Sequence, residues 1–395
     1  MISFDEAVGI IADAARPSGS ESIAFDAAGG RVLAAPVIAM IDSPRADVSA
    51  MDGFAVRDSD LGEYPVSLSV RGESLPGLGY DGALEPGDCV RIFTGAPLPT
   101  GADRIVIQEQ VRREGERAVI DAPPGSAIWV RPRGQDFEAG DLVLPAGRNV
   151  DPAALIAAGG ADCASVEAYM RPRVAVLSTG DELVDPGKAR DRALAVPDSA
   201  SLGAAALACQ WGARLVHRAR VRDDLATLEA AARQAGAIAD VIVVTGGASV
   251  GEHDFAKAMF APLGLALLFS KVAIRPGKPA WFGRIGDVLV MGLPGNPTSA
   301  LVTARLLLAP LLAAMTGRSI ADALQWEPAR LAAPLAACDA RETFHRAQLD
   351  RGEVTPLSFQ ESHAQKALAE ANVLVRQTAN SPQLAAGEQV ELLRF

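Results

Sequence analysis

Cysteine is scarce in this sequence: Cys89, Cys163, Cys209 and Cys338 are the four among 395 residues, and no two form a CxxC pair. That spacing supports neither a disulfide framework nor a zinc site, so each reads as a small apolar residue of the interior. Histidine is as rare, and His217, His253, His345 and His363 show no metal-ligand spacing and no HExxH string. Without a GxSxG elbow either, zinc hydrolysis and a serine triad are not the favoured chemistry. Long apolar runs are missing too: no stretch reaches the roughly 18 to 20 uninterrupted apolar residues of a membrane span. The opening MISFDEAVGIIADAARP carries Asp5 and Glu6 where a signal peptide is basic, so a cytoplasmic location with no membrane partner is expected. Positive charge is in deficit, with a net charge of -11 and a pI near 5.0, which argues against nucleic acid as a partner. An anionic ligand must therefore meet a local basic cluster. Lysine is the scarcer cation: Lys188, Lys257, Lys271, Lys278 and Lys366 are the only five, and two of them fall with Arg275 in SKVAIRPGKP.

What is present is an ordinary globular composition, 49% hydrophobic and 22% charged. At about 100 to 200 residues per domain the length suggests two to four domains. Ser3 and Glu6 stand in capping-box spacing ahead of Val8, Ile11 and Ala15, which predicts a short amphipathic helix ending by Pro17. From about Ser22 to Asp151 the pattern changes to short strands such as VSLSV, CVRIF, RIVIQEQV and RAVIDA between Gly/Pro turns. The stretch 151–168 reads as a further helix and turn, so a β-rich module is expected to be inserted into a small helical domain.

From Pro172 the rhythm alternates. VAVLSTG, RLVHRARVRDD, DVIVVTGG, LALLFSKVAI and DVLVMGLPG read as strands, separated or followed by the helical SASLGAAALACQWG, LATLEAAARQAG, DFAKAMFAPLG and NPTSALVTARLLLAPLLAAMTG. This is the pattern of a doubly wound parallel sheet whose apolar strands are covered on both faces. After Gly317 short strands return, as in TFHRAQLD, GEVTPLSF and EQVELLRF, and predict a small C-terminal β domain.

In open parallel sheets ligands bind beyond the carboxyl ends of the strands, where helix N-termini favour anions. The unusual residues collect there: Thr179-Gly180-Asp181-Glu182, Arg222-Asp223-Asp224, the TGGASVG loop with Gly246, Gly247 and Ser249, and LPGNPTSA with Ser299. TGGASVG is neither a phosphate-binding GK[ST] loop nor a GxGxxG dinucleotide string, and glycines for a tight turn explain it equally well. Asp223 and Asp254 could converge over the sheet edge and with phosphate oxygens suit Mg²⁺, although either one alone reads as a solvated carboxylate. RPGKP presents Arg275 and Lys278 on a Pro/Gly turn, which lowers the ordering entropy of an oxyanion clamp or simply keeps a loop soluble. In the β-rich half, 42–57 includes Asp52, and 130–141 offers Arg131, Arg133 and Asp136, all compatible with ordinary polar loops.

Taken in order, SPRADVSAMDGFAVR, RIFTGAPLPTGAD, VRPRGQD, VAVLSTGDEL, VRDD, TGGASVGEHD, IRPGKPAWFG and GLPGNPTSAL resemble the molybdopterin molybdenumtransferases, the MoeA proteins related to the E domain of gephyrin. The strings span residues 42–301, and the similarity is diffuse before 40 and after 320. The resemblance implies an α/β and β multidomain protein. Residues 1–21, 39–50 and 137–170 would form a discontinuous helical domain, and 22–38 with 51–136 an inserted β-rich domain. Residues 171–318 would form a doubly wound parallel-sheet domain related to the molybdopterin adenylyltransferase fold, and 319–395 a C-terminal β-barrel.

It further implies a transferase of molybdenum cofactor biosynthesis that inserts molybdate into adenylylated molybdopterin and releases AMP. It would work as a homodimer with Mg²⁺, take its substrate from a molybdopterin adenylyltransferase, and build its site from the α/β domain of one subunit and the β domain of the other. By motif position Asp52, Asp136, Asp223, Asp254 and Lys271 match catalytic positions, with Asp223 and Asp254 assigned to Mg²⁺. Thr94, Arg131 and Glu182 match site-lining positions, joined by Gly246, Gly247 and Ser249 of the glycine loop. Arg275, Lys278 and Ser299 match the molybdate pocket, with Arg346 and Ser362 as matches from the C-terminal domain. Three positions depart from the family pattern: Arg275 stands where lysine is usual, Asp198-Ser199-Ala200 where Asp-Thr-Asn is common, and Glu361 where glycine is common. The alternatives are a molybdopterin adenylyltransferase, against which the extra β domains and RPGKP argue, and a scaffold of the gephyrin kind, against which the four aspartates argue.

Overall fold

The computed structural model describes residues 1–246 and 255–395. The chain divides into two compact units, one of Met1–Glu21, Gly30–Ala34 and Ala168–Phe395, the other of Ser22–Gly29 and Ala35–Glu167.

The smaller unit is built on a six-stranded sheet: β1 (Gly53–Val56), β2 (Val66–Ser74), β3 (Asp88–Ile92), β4 (Arg104–Ile107), β5 (Arg112–Glu114) and β6 (Arg117–Ile120). The strand order is β4-β1-β3-β2-β6-β5, and only β2 and β3 run parallel. Phe54, Val56, Leu68, Cys89, Val106 and Ile120 close one face of it. Burial pushes the Cys89 thiol up to about 12, as expected of an inert interior cysteine. The other three cysteines depart from that expectation. Cys209 is exposed on the outer face of its helix, whereas Cys163 and Cys338 are half-buried with their thiols toward the carbonyls of Ile38 and Thr378. A helix Pro152–Gly160 starts where it should, with Asp151 accepting from the Ala154 N–H (2.8 Å) and proline in the first turn. The residues after it, Ser165–Tyr169, form a strand rather than a turn.

The larger unit begins with α1 (Phe4–Ala14), whose capping box is complete: Ser3 Oγ accepts from Glu6 N–H (3.1 Å) and Glu6 Oε2 from Ser3 N–H (2.7 Å). Its apolar face, Phe4, Ala7 and Ile11, is buried. The sheet that follows contains β7 (Arg173–Thr179), β8 (Arg214–Val221), β9 (Val241–Thr245), β10 (Ala266–Phe269), β11 (Trp281–Ile285) and β12 (Val288–Leu293), with α2 (Ala200–Gln210) and α3 (Leu225–Ile238) as crossovers. The order is β8-β7-β9-β12-β11-β10. Along β9, Val241 and Val243 enter one core while Ile242 and Val244 enter the other, so the central strands are covered on both faces. The expectation of parallel strands throughout needs correcting at one edge: β11 is antiparallel to β12 and β10 to β11. The hairpin β11–β12 turns at Gly286-Asp287, too short a connection for the crossover a parallel pair requires.

The helix Pro297–Met315 is the one helix among the described residues long and apolar enough to cross a membrane, and 89% of it is buried inside the protein's own core. Leu306, Leu307, Leu308, Leu311 and Leu312 are fully buried, each contributing about 1.5 to 3 kcal/mol by leaving water. At its centre a π turn, Ala304–Leu308, carries the buried Arg305. Its Nε donates to the Arg394 carbonyl and its Nη1 to the Ala323 carbonyl, both at 2.7 Å, and burial pushes its pKa down to about 10. The C-terminal residues form β13 (Glu327–Leu331), β14 (Glu342–Asp350), β15 (Glu353–Pro356), β16 (Val373–Gln377) and β17 (Gln389–Arg394). They pair in the order β14-β15-β13-β17-β16, and β16 pairs back onto β14, closing a five-stranded barrel.

Candidate functional site

The registers of the parallel strands bring four strand ends level. Ser178 of β7 pairs with Thr245 of β9, Thr245 with Leu293 of β12, and Thr179 with Val221 of β8. Beyond these ends lies a cavity of about 620 Å³ whose wall includes Thr179, Glu182, Asp198, Asp223, Gly246 and Asn296. Gly246 has φ +94°, and a β-carbon built on Gly295 would lie 3.3 Å from its Cα, so the two glycine loops approach backbone to backbone. Thr179 Oγ1 is buried without a hydrogen-bond partner among the described residues. Asp223 is exposed, and its N–H donates to Asp181 Oδ1 (3.3 Å).

Asp198 is a buried carboxylate that sequence reasoning left out of the site. Its Oδ2 accepts from Ser178 Oγ (2.8 Å) and Ser201 Oγ (2.5 Å), and its Oδ1 accepts from the Ser201 N–H (3.2 Å). Arg218 Nη1 stands 3.6 Å from the same carboxylate. These donors fix the wall of the cavity, and a buried charge so surrounded is retained only because its partners are complete. The neighbouring Ser199 donates from Oγ to Gln365 Oε1 (3.1 Å), so this departure from the family pattern has a partner of its own.

The basic segment reaches the cavity through Pro279, one of its lining residues. Lys271, Arg275 and Lys278 are all exposed. The loop is pinned by main-chain bonds, Ile2 N–H to the Lys271 carbonyl (3.1 Å) and Val272 N–H to the Lys278 carbonyl (3.2 Å). Ile274–Arg275 adds as a short parallel strand to Glu342–Thr343. Gly277 at φ +117° packs so closely that a β-carbon would meet Thr303 Oγ1 at 2.6 Å. Ser299 is 5% exposed in the first turn of the long helix. Ser362 meets the cavity wall directly, since Asn296 Nδ2 donates to its Oγ at 2.9 Å. Arg346 stands apart from the other cations: it is buried and faces the 357–361 segment of its own barrel.

In the smaller unit Asp52 and Thr94 come together. Asp52 Oδ1 accepts from the Thr94 N–H (2.7 Å) and from Thr94 Oγ1 (2.8 Å), and these two donors hold its carboxyl below the usual aspartate range. Arg131 and Asp136 are exposed; Arg131 pairs with Val48 and Asp136 donates its N–H to the Ser43 carbonyl (2.9 Å). Arg133 is tied to Asp42 by its guanidinium and to Asp47 Oδ1 by its N–H (2.8 Å).

Gly247, Ser249 and Asp254 lie outside the described residues. Among the described residues no three of His, Cys, Asp or Glu gather as a metal cage. The donors around the cavity are hard oxygens, with Asp223 as the described carboxylate of the expected metal pair. That set fits Mg²⁺, which uses one or two carboxylates and takes its other ligands from phosphate and water.

Three family descriptions match the chain: MoeA N-terminal region (domain I and II) over residues 2–160, probable molybdopterin binding domain over 175–314, and MoeA C-terminal region (domain IV) over 328–395. A Nostoc protein named molybdopterin molybdenumtransferase is 38% identical over 322 residues, covering 78% of this chain and 71% of that one. A Haemophilus influenzae protein of the same name is 34% identical over 390 residues, 96% and 95% of the two chains. Among solved structures, a molybdopterin biosynthesis MoeA protein from Pyrococcus horikosii superposes with a TM-score of 0.84 at 28% identity, covering 100% of this chain and 99% of that one.

Proposed function

The chain belongs to the MoeA family of molybdopterin molybdenumtransferases, and on that premise we propose that it is an enzyme of molybdenum cofactor biosynthesis that inserts molybdate into adenylylated molybdopterin and releases AMP. The observation that carries the reading is the cavity at the strand ends, lined by hydroxyls, glycine-loop backbone and carboxylates and approached by the Arg275/Lys278 loop. The long helix points its N-terminus at that cavity through Asn296 and Pro297, which favours an anionic group.

Each part of the chain has a task in this reading. The threonine hydroxyls at 179 and 245 and the Gly246 turn receive the phosphate and pterin end. Arg275 and Lys278, with Ser299, hold a tetrahedral dianion beside it. At an effective dielectric near 20, one cation about 4 Å from such an anion contributes roughly 4 kcal/mol before desolvation, enough for the local field to outweigh the acidic whole. Asp223, with Asp254 as the second expected ligand, would hold Mg²⁺, which when bound neutralises the phosphoanhydride and eases the departure of AMP. Positioning carries most of the remaining rate gain, because the reacting groups are brought together rather than activated by acid or base.

We further read the protein as a cytoplasmic homodimer of four-part protomers, in which Asp52, Thr94, Arg131 and Asp136 serve the site of a second subunit and Lys271 and Glu182 that of their own. A molybdopterin adenylyltransferase is the source of substrate in this reading. Its support is the ordered set of motifs. Purified protein given adenylylated molybdopterin, Mg²⁺ and molybdate is expected to release AMP only when molybdate is present. Folded protein that releases none contradicts the assignment.

A further inference from the structure

Arg346 is 2% exposed, and each nitrogen of its guanidinium donates one hydrogen bond. Nε donates to Gln360 Oε1 (3.3 Å), Nη1 to the Glu361 carbonyl (3.1 Å) and Nη2 to the Phe359 carbonyl (3.4 Å). Gln360 closes the arrangement from the other side. Its Oε1 also accepts from the Arg346 N–H (3.1 Å), and its Nε2 donates to the carbonyls of Arg346 and Leu357, both at 2.8 Å. The Leu357 N–H returns a bond to the Arg346 carbonyl (2.9 Å). One strand residue and one loop residue thus fasten 357–361 to β14. Two residues beyond Gln360, Ser362 receives the Asn296 Nδ2 bond, and Asn296 is both the residue that opens the long helix and part of the cavity wall.

We propose that Gln360, with Arg346, is a positioning residue: together they hold the 357–361 loop so that Ser362 sits against Asn296 at the cavity. Gln360, which no motif singles out, is then as necessary as Arg346. The inference rests on the reading of this cavity as the molybdate site.

The test uses the full-length enzyme with molybdate as the varied substrate. Gln360→Leu is expected to raise the molybdate KM for AMP release about tenfold with kcat nearly kept, the size of one lost hydrogen-bonded contact. Gln360→Glu keeps the acceptor for Arg346 but sets a carboxylate oxygen against the carbonyls of Arg346 and Leu357, so it is expected to raise the KM likewise, and full activity in it overturns the role of the Nε2 bonds. Because both act through Ser362, the double variant Gln360→Leu/Ser362→Ala is no worse than the poorer single one. Additive losses, or no change in KM for Gln360→Leu, overturn the proposal. Amide hydrogen exchange supplies an arm independent of turnover: the segment 357–364 should exchange about tenfold faster in Gln360→Leu while 297–315 is unchanged. Equal exchange in the two proteins overturns the clamp. Absence of molybdate-dependent AMP release from the unsubstituted enzyme instead removes the functional reading, and the exchange arm still judges the clamp.

Discussion

A β-carbon built on Gly246 would stand 2.5 Å from the carbonyl oxygen of Thr179 and 3.0 Å from its hydroxyl. The neighbour is main chain in a central strand and cannot swing aside. At φ +94° any other residue is also conformationally strained, by about 1 to 2 kcal/mol. Gly246→Ala is therefore expected to lower stability by at least about that amount and to weaken AMP binding, because the same contact shapes the cavity wall. Thermal unfolding and calorimetric AMP titration check it; an unchanged melting temperature contradicts it.

Asp52 should titrate below an ordinary aspartate because two Thr94 donors favour its charged form. A group depressed in the folded state adds stability above its unfolded pKa and loses it as pH falls through the folded one. Thr94→Val keeps the N–H but removes the hydroxyl, so the Asp52 pKa should move part of the way back up. Carbon-13 titration of the Asp52 carboxyl reads this directly. No movement means that the hydroxyl bond has no energetic role.

His345 gives a pH dependence inside the barrel. Burial holds its imidazole below the ordinary histidine range, and Arg275 and Arg346 add to the depression, while its Nε2–H donates to Gln377 Oε1 (2.8 Å). The Gln377 amide nitrogen in turn donates to the Ala336 carbonyl (2.9 Å), which sets that orientation. The unfolded chain takes up its proton near about pH 6.5, earlier than the folded one, so stability falls as pH drops through that value and on through the depressed folded pKa. His345→Gln is expected to flatten the loss of melting temperature between about pH 7 and 5. Parallel slopes for the two proteins contradict the assignment.

Asp223 and Lys278 are exposed, so their replacement should spare folding and divide the chemistry. Asp223→Ala is expected to abolish AMP release at an unchanged melting temperature. Lys278→Met is expected to raise the molybdate requirement about tenfold or more with little change in AMP binding, as the loss of one charge-assisted contact implies. Equal losses of both ligands contradict the clamp role of Lys278.

Much of this arrangement was legible in the sequence, and the gaps have physical reasons. The Ser3/Glu6 box, the Asp151-Pro152 helix start and the apolar runs of β7, β9 and β12 are local patterns, and each forms as read. β11 escaped notice because WFGRI follows directly on PGKPA and is interrupted by Gly283 and Arg284. EPARL and VLVRQ escaped for the same reason, short length and a polar or proline residue inside, although both are needed to close the barrel. At the site, the strand-end loops were visible as Gly/Asp/Thr strings. Asp198 was not, because an aspartate after a proline looks like a surface turn until Ser178, Ser201 and Arg218 are seen around it. Gln360 was similarly hidden, since no motif singles it out and only the fold shows it hydrogen-bonded to Arg346.

The most direct measurement is the stoichiometry of one reaction: AMP released against molybdenum bound to the pterin, followed together in the same sample of enzyme, adenylylated molybdopterin, Mg²⁺ and molybdate. A molybdenumtransferase is expected to yield the two in equal amounts and neither without molybdate. AMP released at the same rate with molybdate absent, and no molybdenum on the pterin, would contradict the account.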